Sequence, residues 1–259
     1  MDGNVSVAGD APLALVTGGH RRLGGRISAT LARAGYALAI HGSHDVALDS
    51  ELELALGASG AQWHGFIADF EEAEAAAGLM EQVKARFGRA PDLLVNSAAL
   101  FGQDRLDSVT AEDLLRHYNV NAIAPVLLTR AFADCRRDGI GCVVNILDQR
   151  IAHPHGDQLA YTLSKQALEG FTRMAARELA SKGVRVNAVA PGLTIATDDY
   201  DQGRIARMAQ VMPLGHLPQP SDIADAILYL AHAQSVTGQT LFVDGGAHMH
   251  SYPRDFMYL

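Results

Sequence analysis

Short apolar runs rich in β-branched residues recur along the chain, separated by longer stretches whose apolar positions repeat at helical spacing. LALVT (13–17), YALAI (36–40), QWHGFI (62–67), DLLVNS (92–97), CVVNIL (142–147), VRVNAV (184–189) and TLFVD (240–244) predict seven strands. Most are apolar at every position, as strands covered on both faces are. Helices are predicted over 22–34, about 46–57, 71–87, 111–134, 158–181, about 203–211 and 221–232. Thr110 and Asp113 have the form of a capping box, and Ser221 followed by Asp222 reads as another helix start. Gly35 and Gly183 stand where helix C-caps belong.

Seven strands alternating with helices imply right-handed crossovers and one doubly wound, Rossmann-type α/β domain whose parallel sheet is flanked by helices. No linker, repeat or low-complexity tract divides it. One domain is expected over 12–249, between a floppy start (1–11) and a loose aromatic tail (250–259, HSYPRDFMYL). A chain of 259 residues, 48% hydrophobic and 19% charged, has ample material for it. The net charge of −8 argues against nucleic acid or an anionic membrane as the main partner. No segment comes near the roughly eighteen uninterrupted apolar residues of a membrane helix, and MDGNVSVAGDAP lacks the make-up of a signal peptide. A cytoplasmic location is the expectation. Cys135 and Cys142 form no CxxC motif, so reduced thiols are expected, with Cys142 in a core strand. The His-x-His pairs His153/His155 and His248/His250 have no Cys or Glu at ligand spacing, and no metal is expected.

TGGHRRLGG (17–25) joins the first strand to the first helix. Glycines such as Gly18 and Gly24 let the backbone turn tightly and approach a pyrophosphate, whose charge a helix N-terminus favours. The second strand ends His41-Gly42-Ser43-His44, with no acid before Asp45 to bind an adenosine 2′-hydroxyl. Arg21 and Arg22 add positive charge, and Ser43 and His44 can donate hydrogen bonds, so NADPH is favoured over NADH. Asp69 either accepts from the adenine amine or caps the next helix. Tyr161 and Lys165 lie one helical turn apart on one face, the arrangement of a phenol tuned to donate a proton.

With TGGHRRLG (17–24), LVNSAALF (94–101), NAIAP (121–125), NILD (145–148), YTLSK (161–165), ALEGFTR (167–173), RVNAVAPGLT (185–194) and TGQTLFVDGG (237–246), the chain resembles the short-chain dehydrogenase/reductase family over about residues 12–249. Within the family it is most similar to pteridine reductases and bacterial dihydromonapterin reductases. The resemblance implies that Leu23, Asn96, Ser97, Ala98, Pro191, Gly192 and Thr194 join the cofactor site. It gives Lys165 the nicotinamide ribose and a lowering effect on the Tyr161 phenol. Asn121 would anchor a proton-relay water, Phe101 would stack the pterin on the nicotinamide, and Arg22 would also hold the substrate ring.

Most family members carry a serine near position 148, where this chain has Asp148, as the pteridine reductases do. A carboxylate would repel a developing alkoxide, whereas a carboxylic acid can relay a proton to a ring nitrogen. Departures are Ser97 and Ala99 in NSAA, where NNAG is usual, and His44 where those reductases tend to carry arginine. Residues 195–215 match least. The expected activity is NADPH-dependent reduction of a pterin or similar flat N-heterocycle by a homotetramer paired through the helices at 111–134 and 158–181. The alternatives are a carbonyl reductase, such as a 3-oxoacyl-carrier-protein reductase, and a non-catalytic NADPH-binding regulator.

Overall fold

Each apolar run becomes a strand: β1 (Leu13–Val16), β2 (Ala37–Gly42), β3 (Trp63–Ile67), β4 (Leu93–Asn96), β5 (Gly141–Ile146), β6 (Val184–Pro191) and β7 (Thr240–Val243). Of the 259 residues, the computed structural model describes 11–136, 140–194, 202–255 and 258. The strands form one sheet in the order β3-β2-β1-β4-β5-β6-β7, and every pairing is parallel. The helices are α1 (Arg22–Arg33), α2 (Ser50–Ser59), α3 (Ala73–Phe87), α4 (Ala111–Tyr118), α5 (Ala124–Cys135), α6 (Leu159–Leu179), α7 (Gln202–Val211) and α8 (Pro220–His232).

Alternate strand residues feed opposite faces of the sheet, as the strand period of two requires. Leu13 and Leu15 pack with Leu79, Leu128 and Phe132 on one side, while Ala14 and Val16 pack with Ile27, Leu52 and Ile227 on the other. The strands therefore had to be apolar throughout. Cys142 belongs to this core, and burial pushes its thiol up to about 11. Arg185 leaves β6 to donate to the last-turn carbonyls of α8 at Leu230 (2.6 Å) and Ala231 (2.8 Å). The order of the sheet reverses between β1 and β4, which opens a crevice at their carboxyl ends.

Most of the capping follows the sequence. Thr110 and Asp113 exchange hydrogen bonds as a capping box, and Gly35 and Gly183 take φ of 87° and 73°. At α8 the cap is Gln219 in place of the expected start at Ser221, and the Gln219 N–H donates to Asp222 Oδ2 (2.8 Å). Three further expectations are corrected. The helix expected from about 46 starts at Ser50, because Asp49 caps it by accepting from Leu52 N (2.9 Å) while its own N–H donates to His20 O (3.0 Å). The helix expected over 111–134 is broken by a π-helical turn at Asn119–Ile123, which separates α4 from α5. The tail expected to be loose is anchored at Asp255, which is 7% exposed. Of the expected floppy start, residues 1–10 lie outside the described residues, as do 195–201 of the poorly matching segment. Among the described residues no helix is long and apolar enough to cross a membrane.

Gly24 is one of the places where the fold constrains the sequence most tightly: a Cβ there would lie 2.0 Å from Gly18 O. Gly57, in the middle of α2, would meet nothing within 4 Å. We expect Gly24→Ala to destabilise the protein by about 3 kcal/mol through forced backbone shifts. Gly57→Ala should stabilise it by about 0.5–1 kcal/mol. Urea unfolding of both variants checks this; two changes of equal sign would contradict it.

Candidate active site

The loop after β1 is held from three directions. Thr17 Oγ1 accepts from the backbone N–H groups of Ser97 and Ala98, 3.0 Å each, tying the end of β1 to the end of β4. Gly18, at φ +61°, donates its N–H to His41 Nδ1 (3.1 Å), and His41 Nε2 donates in turn to Ala68 O (2.8 Å). His41 is buried and stacked on Phe70 at 4.2 Å, and burial drives its pKa down to about 4. Both of its ring nitrogens are engaged. His41, expected among the cofactor contacts, borders the cleft but acts here as the neutral strut under the phosphate loop.

Arg21 and Arg22 are exposed at the start of α1, whose first turn carries no acid. Uncompensated cations at a helix N-terminus make a site for an anion. Arg22 sits at φ +53°, a left-handed conformation that glycine would take without strain. Ser43 and His44 are exposed at the end of β2, with His44 Nε2 3.6 Å from Asp69 Oδ2. Asp69 Oδ1 meanwhile accepts from Glu71 N (3.0 Å), so Asp69 fixes the turn before α3 and still faces the cleft.

A cleft of about 680 Å³ runs from this loop to the end of β5. Gly18, Leu23 and Gly24 border it at one end, Ser97, Ala98 and Phe101 along one wall, and Pro191, Gly192 and Thr194 along another. Two predicted residues stand outside it. Asn96 is 2% exposed and turned into the sheet, where its Nδ2 donates to Asn145 Oδ1 (2.8 Å). Asn121, on the π-helical turn, closes a ring with Leu100 by donating to its carbonyl (2.9 Å) and accepting from its N–H (2.8 Å). It also donates to Ser164 Oγ (2.9 Å). Asn121 thus locks the wall carrying Phe101 to the helix carrying Tyr161.

The inner end of the cleft is a buried polar cluster. Tyr161 donates its hydroxyl to Asp148 Oδ2 at 3.1 Å, and the ring of Phe101 meets that of Tyr161 edge-on at 4.9 Å. Asp148 Oδ1 accepts from Arg150 N (2.9 Å) and Arg150 Nε (3.2 Å). Asp148, expected to relay a proton to a ring nitrogen, caps a turn and accepts three hydrogen bonds, one of them from the Tyr161 hydroxyl. Burial first, and the charge of Asp148 second, push the Tyr161 phenol well above its usual range. Lys165 donates to Ile146 O (2.8 Å) with its ammonium 5.6 Å from the Tyr161 ring centroid. Burial lowers Lys165 itself to about 8. The expected lowering of the phenol by Lys165 is therefore outweighed, and Tyr161 is held as a protonated donor.

Arg150, Gln158 and Asp255 were missed. Arg150 Nη1 donates to Gln158 Oε1 and Nη2 to Asp255 Oδ2, each at 2.7 Å. An arginine two residues after Asp148, at the end of an apolar run, was a readable signal; Asp255 carries none.

A nucleotide-binding crevice at the switch point of a parallel sheet, with a buried Tyr/Lys pair beside it, defines an oxidoreductase of the dinucleotide-dependent type. The family model described as enoyl-(acyl carrier protein) reductase matches residues 19–248, and the chain belongs to the short-chain dehydrogenase/reductase family. The (3R)-3-hydroxyacyl-CoA dehydrogenase of Canis lupus familiaris is 34% identical over 254 residues, covering 92% of this chain and 96% of the relative. Pteridine reductase 1 of Leishmania tarentolae is 31% identical over 281 residues, covering 91% and 96%. Among solved structures, alternative dihydrofolate reductase 1 (FolM) of Brucella suis in complex with NADP superposes with a TM-score of 0.82 at 34% identity, covering 92% of this chain and 96% of that one.

The buried Lys165 gives a test with a definite sign. Its folded pKa of about 8 lies below the usual 10.5, so the cost of burying the ammonium is present in full below pH 8. Between pH 8 and 10.5 the unfolded chain binds more protons, and stability must rise with pH. Relative to Lys165→Met, the parent should gain on the order of 3 kcal/mol across that window. Denaturant unfolding of both proteins at several pH values reads it, and a constant difference would contradict the assignment.

Proposed function

We propose that this oxidoreductase uses NADPH to reduce a ring C=N bond in a pterin or a similar flat N-heterocycle. One observation carries the reading: the hydroxyl of Tyr161 points into the carboxylate of Asp148, where a carbonyl reductase needs a neutral donor for the developing alkoxide. The residues present fit the cofactor. The N-terminus of α1 with Arg21 and Arg22 would take the phosphates, including the 2′-phosphate together with Ser43 and His44. Lys165 and Tyr161 would meet the ribose. The NADP held by the Brucella suis relative supports this choice.

NADPH, when bound, supplies the hydride that reaches the ring carbon. This chain supplies the proton for the adjacent nitrogen. Tyr161 is the donor, and Asp148, within hydrogen-bond reach of it, accepts from a substrate N–H or passes the proton on. Lys165 keeps positive charge near the phenolate that forms until solvent returns a proton. Phe101, half exposed over the cleft beside Tyr161, offers a face for a flat ring. The net change is one hydride and one proton added across C=N, with NADP⁺ released.

A second reading, a 3-hydroxyacyl or 3-oxoacyl oxidoreductase, is favoured by the equal similarity to the hydroxyacyl-CoA dehydrogenase. Asp148 separates the two. Asp148→Asn keeps the shape but cannot move that proton, so dihydropterin reduction should fall by a factor on the order of 10²–10⁴. Asp148→Ser should lose as much while activity on simple ketones stays level or rises. NADPH oxidation at 340 nm measures both, and variants that reduce dihydropterins as fast as the parent would overturn the reading.

A further inference from the structure

The C-terminal tail enters the wall of the cleft at Asp255. Asp255 lies 105 residues beyond Arg150 and is 7% exposed. Its backbone N–H donates to Asp157 Oδ2 (3.0 Å), and Arg254 beside it donates to Asp157 Oδ1 (3.3 Å). The tail is thereby pinned to the β5–α6 loop on both sides of one buried carboxylate, and Asp255 is delivered to the far edge of the Arg150 guanidinium.

We propose that Asp255 is a positioning residue for the reaction: it shares the Arg150 guanidinium with Asp148 and so fixes Asp148 at hydrogen-bond distance from the Tyr161 hydroxyl. The inference deepens the proposed C=N reduction and rests on that reading. Arg150 is 6% exposed, and each of its three nitrogens has its own acceptor: Nε has Asp148, Nη1 has Gln158 and Nη2 has Asp255. A guanidinium is a rigid planar fork, so three acceptors on three edges leave its plane no freedom to turn. The same cation lies 5.3 Å from the Tyr161 ring centroid and 5.7 Å from that of Phe101, so its placement also sets the two rings. With the carboxylate of Asp255 neutralised, a buried cation keeps Asp148 as its sole anionic acceptor among these three. Its attraction then concentrates there. Asp148 is drawn onto Arg150 and away from Tyr161.

The test is a double-mutant cycle on NADPH-dependent reduction of a dihydropterin. Asp255→Asn should lower kcat about tenfold or more, since displacements near an ångström are worth that much at a reacting centre. The KM for NADPH should move by less than about twofold, because the hydrogen bonds of Arg150 end on Asp148, Gln158 and Asp255, none of them in the phosphate loop. Asp255→Glu should restore most of the loss. In the Asp148→Asn background, Asp255→Asn should change the residual rate by less than about twofold, the mark of action through Asp148 alone. Parent kcat in Asp255→Asn, or an equal loss in both backgrounds, would overturn the proposal. Should Asp255→Asn fail to fold, the Arg150→Met/Asp255→Leu pair replaces the ions with apolar groups; it should fold yet lose the same turnover, and parent kcat there would overturn it. A crystal structure of the Asp255→Asn protein reads the claim without turnover. The Asp148–Tyr161 contact, 3.1 Å here, should open, and an unchanged contact overturns the role of Asp255. A parent that reduces no dihydropterin defeats the underlying reading, and the structure still decides Asp255.

Discussion

A buried cation must be answered by acceptors, and at Arg150 those acceptors come from three separate parts of the chain. Asp148 stands at the end of β5, Gln158 at the start of α6 and Asp255 near the C-terminus. Leaving such a group partly unpaired costs several kcal/mol, so the loop, the helix and the tail are obliged to meet there. That meeting turns the Tyr161 hydroxyl toward Asp148 and makes the wall of the cleft polar where most of the molecule's interior is apolar. Lys165, fully buried below Tyr161, adds a second cation to the same low-dielectric space and carries a depressed pKa as the consequence. The site is costly to stability, and the apolar strands on both faces of the sheet offset that cost.

Backbone strain is concentrated beside the cleft. Arg22 and Gln158 are the two residues other than glycine with positive φ among those described, at 53° and 51°. Each such conformation costs on the order of 1–3 kcal/mol unless the surroundings impose it. Arg22 brings a guanidinium to the phosphate loop where a glycine would bring none. Gln158 uses its amide to bridge Arg150 and Gln103 (2.8 Å) from the residue that starts α6. In both places the local preference of the chain yields to the placement of a polar head.

Much of the fold was legible because the signals were local. Seven all-apolar runs, the Thr110/Asp113 box and the glycine caps at 35 and 183 each announce their own structure, and alternation of strand with helix leaves few topologies. The Tyr161/Lys165 pair and the TGGHRRLGG loop were readable for the same reason. What escaped depends on contacts distant in sequence. The break at 119–123 brings Asn121 to Leu100 and Ser164, neither of which a helical period reveals. His41 resembled a cofactor ligand by its place at the strand end, yet its nitrogens are taken by Gly18 and Ala68. Asp255 sits in a tail whose composition reads as loose, and its burial follows from contacts with Arg150 and Asp157 about a hundred residues away.

The family defines the hydride chemistry, while the relatives include a hydroxyacyl-CoA dehydrogenase, a pteridine reductase and a dihydrofolate reductase. In the proposed function, Asp148 against Tyr161 is the interaction that separates the two chemistries. The most direct measurement is kcat/KM for NADPH oxidation with a dihydropterin, set beside the same quantity with a 3-oxoacyl thioester. A site built for a ring nitrogen should favour the dihydropterin by a factor of about 10² or more, the scale of discrimination that buried polar groups impose. Equal values, or a preference for the thioester, would contradict the account.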